Sequence, residues 1–198
     1  LSRFPLDRFL TVDSLGSASA NFRLEGRYFS WPQAKTSVNA GIRQLFYKEH
    51  EYKDITLQAT LDKTHLRGNM VSKDPDAPLD LVFRGDSLQQ QYQVGLGGYI
   101  GKVDLQALHL MQEPLTMGLK VDLQGFIGEH SAYALKARFD SLSMADSRKT
   151  YTLGSLDIDM ASDLKKTTLD VKTGDLQLTF RADTSLADFG ESAGKIAG

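Results

Sequence analysis

The chain has 198 residues, 41% hydrophobic and 24% charged, with no cysteine and a formal net charge of −2. That composition belongs to folded proteins rather than disordered ones. The near-neutral charge offers no basic surface for nucleic acid, whose binding rests on Lys and Arg against phosphate, and none for an anionic membrane surface. No stretch approaches the roughly 18 apolar residues of a membrane-spanning helix, and a chain without disulfides suits the cytosol or a periplasmic protein stable without staples.

The sequence opens at Leu1 with neither an initiator Met nor a signal peptide, and so reads as a single β-rich segment, residues 1–198, of something longer. Pro5 to Leu10 is read as one helical turn, with Leu6, Phe9 and Leu10 on one side. From there period-two alternation takes over, the mark of strands with one buried face. Ala18, Ala20, Phe22 and Leu24 alternate with Ser19, Asn21, Arg23 and Glu25. The aromatic group Tyr28, Phe29 and Trp31 ahead of Pro32 reads as the plug of a core end, with a sugar or lipid-headgroup contact as the second reading.

Ile55, Leu57, Ala59 and Leu61 form the next stripe, and Asp62-Lys63 reads as a hairpin turn. Residues 73–78, with Pro75 and Pro78, cannot continue a strand because proline lacks the ladder N–H. Then come Leu79/Leu81/Phe83, a turn at Gly85-Asp86, Tyr92/Val94/Leu96 and a turn or bulge around Gly97-Gly98. Val103 to Ala107 alternates as a strand. The cleanest run is Leu115, Met117, Leu119, Val121 and Leu123. Tyr133/Leu135/Ala137/Phe139, Leu156/Ile158/Met160, a turn at Thr173-Gly174-Asp175 and Leu176/Leu178/Phe180 follow. A short helix over Ser185 to Ala197 is weakened by Gly190 and Gly194.

The pattern predicts an all-β protein of roughly a dozen strands, an antiparallel meander with little helix. Two sheets closing on each other would make the stripes a sandwich core. A single open sheet of twelve strands, about 4.8 Å apart, would instead extend roughly 60 Å and expose an apolar surface far larger than monomers usually leave uncovered. Periodicity leaves both open.

Chemistry is hard to find. His50, His65, His109 and His130 show no ligand spacing, and with no cysteine the sequence predicts no metal site. His65 and His109 read as solvated side chains on the polar phase of strands. Asp74 and Asp76 read as turn-formers, and Asp157 and Asp159 as neighbours on one strand face. The glycines of Gly95-Leu96-Gly97-Gly98-Tyr99-Ile100-Gly101 open no helix, as a phosphate-binding loop would require. Ser192-Ala193-Gly194-Lys195 has no partner motif. The sequence therefore predicts a non-enzyme with no cofactor.

Several strings in succession carry a resemblance: Leu15 to Ala20 leading to Leu24-Glu25-Gly26, Phe29-Ser30-Trp31-Pro32, Leu45-Phe46-Tyr47, Tyr52-Lys53-Asp54-Ile55, Val103 to Leu108, Leu119 to Gly125 and Tyr151 to Leu156. In this order they resemble the TamB family of AsmA-like bacterial envelope proteins, most closely its Bacteroidetes branch. The resemblance implies an open, taco-shaped sheet with an apolar inner face, taken from a periplasmic protein anchored elsewhere in the inner membrane. It implies phospholipid transport between the membranes or outer-membrane protein assembly, with an outer-membrane barrel as partner of the full-length chain.

On that reading acyl chains lie against Ile55, Leu57, Leu79, Leu81, Phe83, Val94, Leu96, Leu115, Met117, Leu119, Val121, Leu123, Leu135, Phe139, Leu156, Ile158, Leu176, Leu178 and Phe180. Exposed sheet edges would let the isolated segment dimerise. The alternative is a closed β-sandwich that binds an envelope protein or a glycan.

Overall fold

Alternating apolar and polar residues, broken by short polar turns, leave each strand only its sequence neighbours to pair with. The computed structural model describes residues 4–5, 15–27, 33–47, 50–88, 91–128 and 132–185. These form one open antiparallel sheet of twelve strands in which spatial order is sequence order. The strands are β1 (Phe4–Pro5), β2 (Leu15–Arg27), β3 (Lys35–Tyr47), β4 (His50–Asp62), β5 (His65–Ser72), β6 (Leu79–Leu88), β7 (Gln91–Asp104), β8 (Thr116–Ile127), β9 (Tyr133–Ala145), β10 (Thr150–Ser162), β11 (Thr167–Thr173) and β12 (Leu176–Ala182). Among the described residues β1 and β12 are the two edges, so no barrel closes and no second sheet stacks on the first. The closed sandwich is not formed.

Several sequence expectations change in detail. The β4–β5 hairpin turns at Lys63-Thr64, one residue later than expected, with Asp62 opposite His65 and Lys63 at φ 54°. Gly85-Asp86 and Gly97-Gly98 are not turns. They lie inside β6 and β7, because the neighbouring strands are long enough to pair across them. The bulge of β7 falls instead between Ile100 and Val103. β7 ends at Asp104, and residues 105–109 turn back on themselves, with the Leu108 N–H donating to the Asp104 carbonyl at 3.1 Å. The Gly174-Asp175 turn is where the sequence put it, at φ 51°. Pro5 belongs to β1 rather than a helical turn. Residues 6–10, Tyr28, Phe29, Trp31, His130 and positions 186–198 lie outside the described residues.

The β9–β10 and β10–β11 hairpins turn on an aspartate, with neither glycine nor proline. Between β9 and β10, Asp146 Oδ1 accepts from the N–H groups of Arg148 and Lys149 at 2.7 and 2.6 Å. Between β10 and β11, Asp163 Oδ1 does the same for Lys165 and Lys166 at 2.7 and 2.9 Å, and those two bonds hold its carboxyl below the usual range. The aspartate stands in for the missing backbone partner and closes the turn.

Candidate functional site

In an antiparallel ladder, directly opposed residues point to the same face. The register can therefore be followed across the sheet. One row runs Phe22, Ala40, Leu57, Met70, Leu81, Gly98, Val121, Phe139, Leu156, Thr173, Leu176, crossing β2 to β12. A second joins Phe83, Leu96, Leu123, Ala137, Ile158, Val171 and Leu178. A third joins Val94 through Gly125 to Leu135, Met160, Leu169 and Phe180. A fourth brings Ile55 through Ser72 to Leu79, Ile100 and Leu119. Stripes separated in sequence by many residues thus fall on one continuous apolar face.

The expected residues share this face with one exception. Leu115 precedes β8, and its carbonyl accepts from the Leu105 N–H at 2.9 Å, so it belongs to the connection. Sequence reading missed Met70, Ile100, Leu169 and Val171. Met70 hides because Gly68 interrupts its stripe, whereas Leu169 and Val171 alternate plainly in Thr-Leu-Asp-Val-Lys.

Burial along the face is uneven. In the middle, Leu81, Leu119 and Val121 are nearly buried, packed with Met70, Leu79, Leu96, Ile100, Met117, Leu123, Phe139 and Leu142. No second layer among the described residues covers them. They bury because the sheet brings side chains of alternate strands together, and Gly98, which contributes no side chain to its row, leaves room between Leu81 and Val121. Toward the edges the same face is open, with Phe22 65% and Leu178 57% exposed.

The opposite face is laced with charge. Arg138 Nε donates to both oxygens of Asp140 at 3.1 Å, Arg138 Nη1 lies 3.8 Å from Asp157, and Lys136 lies 3.5 Å from Asp159. Asp157 and Asp159 do share a face, and each sits beside a cation. A depression of about 860 Å³ opens on this side, where Gly95 and Gly97 leave a gap among Arg67, Arg84, Lys120 and Asp122.

At the margin of that depression Asp86 accepts from Arg67 Nη2 at 2.8 and 3.1 Å and pairs with His65 Nδ1 at 2.6 Å. The Arg67 bonds first, then His65, hold its carboxyl below the ordinary range. The interaction therefore stabilises the fold above the ordinary Asp value and fades as pH falls through the lowered one. In an Arg67→Ala variant the Asp86 carboxyl is expected to titrate closer to the ordinary range, which carbon-detected NMR titration reads directly. Unchanged titration would mean Arg67 does not hold it.

One end of the sheet carries a second cluster. The β5–β6 connection wraps around the Asp74 carboxylate, whose side chain is 1% exposed. Asp74 Oδ2 accepts from the Lys53 N–H at 2.7 Å, and Oδ1 accepts from the N–H groups of Asp76 and Ala77 at 2.9 and 3.2 Å. The β7–β8 connection folds back over it, the Asp104 N–H donating to the Asp76 carbonyl at 2.9 Å and Leu108 nearly buried. His50, at the start of β4, places Nδ1 3.0 Å from the Ala107 carbonyl and Nε2 3.7 Å from Asp74 Oδ1. Its ring meets Tyr52 edge-on at 4.5 Å. The Tyr52 hydroxyl is pushed above its usual range, first by burial, then by the charge of Asp74 and by Tyr47. His109 sits in this connection at φ 55°, not on a strand as expected.

Comparisons with protein-family models, curated proteins and solved structures found no match. No helix among the described residues is long and apolar enough to cross a membrane.

Proposed function

We propose that the chain is a section of a TamB-like envelope protein whose apolar sheet face carries phospholipid acyl chains across the periplasm. The observation that carries this reading is the register: apolar stripes from β2 to β12 align on one face that no second layer among the described residues covers. Water penalises such a surface in proportion to its area, and each CH₂ transferred onto it recovers up to about 0.8 kcal/mol. A chain lying on an open face gains less per carbon than an enclosed one, and so can leave. Rows that carry apolar side chains on most strands extend that gain across the sheet, with the most open contact toward the edges.

The charged opposite face supports a body standing in water, and the edge strands β1 and β12 support continuation of the sheet by further strands. The same edges favour dimerisation in isolation and give a barrel partner or a client outer-membrane protein a place to add a strand.

The test is native mass spectrometry of the chain purified without detergent from a Gram-negative host. Phospholipid carried through purification, and exchange with lipid added as vesicles, is the expected result. A lipid-free mass together with no uptake from vesicles would overturn the reading.

A further inference from the structure

The Asp74 carboxylate is buried with no Lys or Arg beside it among the described residues, since the Lys53 ammonium turns to Glu51 at 3.2 Å. Backbone N–H groups hold its orientation, and a full negative charge in that setting calls for a cation. His50 faces it with a side chain only 10% exposed. The contact of Nδ1 with the Ala107 carbonyl makes Nδ1 the protonated nitrogen, because a carbonyl can only accept. In the neutral ring Nε2 then keeps its lone pair, and nothing among the described residues hydrogen-bonds it. Orientation of one imidazole nitrogen by a backbone carbonyl is what a metal-ligating histidine uses to aim the other. The ligand atoms of His50, Asp74 and Asp76 lie within 4.8 Å of one another.

We propose that His50, Asp74 and Asp76 form a binding site for a divalent transition-metal ion, zinc being the type. One imidazole nitrogen with two carboxylates suits zinc or manganese better than magnesium or calcium, which prefer oxygen alone. Ligand atoms around tetrahedral zinc stand about 3.3 Å apart, so the 3.7 Å between Nε2 and Asp74 Oδ1 closes by a few tenths of an ångström. Asp76 is partly exposed and leaves water a fourth position. The ion would tie the start of β4 to the β5–β6 connection, and through the Asp76 and Ala107 carbonyls to the β7–β8 connection. It would fix one end of the sheet independently of what the apolar face carries.

The test is calorimetric titration of zinc into the untagged, chelator-treated chain, with cobalt absorption as the spectroscopic readout. The expected result is one zinc per chain, a visible cobalt band displaced by zinc, and a higher melting temperature with zinc but not with magnesium. Asp76→Asn, at a partly exposed position, and His50→Gln should each weaken binding by at least about tenfold, while His65→Gln leaves it unchanged. Absence of stoichiometric binding would overturn the proposal, as would binding that survives both Asp76→Asn and His50→Gln or is lost in His65→Gln. Retention of a proton on Nε2 at saturating zinc, seen by NMR, would replace the metal with a histidinium–aspartate pair.

Discussion

Gly98→Val is expected to break the middle of the sheet, lowering stability by about 3 kcal/mol or more from backbone strain and overpacking together. Gly98 has φ +144°, a region L-residues rarely adopt, and an added Cβ would be driven into the Asp80 carbonyl oxygen and within 2.9 Å of Leu81 Cα. Both obstacles are backbone of β6 and cannot swing aside. The row would also lose the gap into which Leu81 and Val121 pack. Gly154→Val is the control, because a Cβ there meets nothing within 4 Å, and valine suits a strand better than glycine. Urea unfolding should show a large fall in midpoint for the first variant and none for the second. Equal midpoints would mean that the β6–β7 register differs from the one described here.

How much of this was legible in the sequence follows from what each level of structure depends on. Alternation is local, so the stripes of β4, β6, β8 and β12 could be read residue by residue. Their union into one face depends on register, which short connections fix and a one-residue slip would invert. Turns were less legible. Gly-Asp and Gly-Gly looked like breaks, yet in β6 and β7 glycine supplies space between facing side chains rather than reversal. Asp146 and Asp163 carry no alternation signal of their own, and that their carboxylates close hairpins shows only in the structure.

The His50 cluster was hidden for a different reason. Its members come from the start of β4 and the loop beyond β5, and they meet only because antiparallel pairing returns β5 to the start of β4. Asp74 was legible as a turn-former, and it does organise its own loop. What the sequence could not announce is that the β7–β8 connection folds over that loop and turns a solvated acid into a buried one.

Charged substitutions on the apolar face should separate its structural work from its functional work. Leu119 is 8% exposed and packs in the central cluster. Leu119→Asp therefore places a carboxylate among Ile100, Met117 and Leu142 and should lose several kcal/mol or the fold outright. Lipid lost from that variant would say little. Phe22 and Leu178 sit on the same face near opposite edges and are largely exposed, so Phe22→Asp with Leu178→Asp should shift stability by less than about 1 kcal/mol. If acyl chains travel the whole face, this double variant keeps its circular dichroism and melting temperature while phospholipid uptake falls several-fold, because each new charge interrupts the apolar path at a place where nothing else depends on it. Full uptake by a well-folded double variant would confine any lipid to the central rows, where Leu81, Leu119 and Val121 already satisfy one another. A surface that satisfies itself is a core, and transport along the sheet would then have no continuous apolar path.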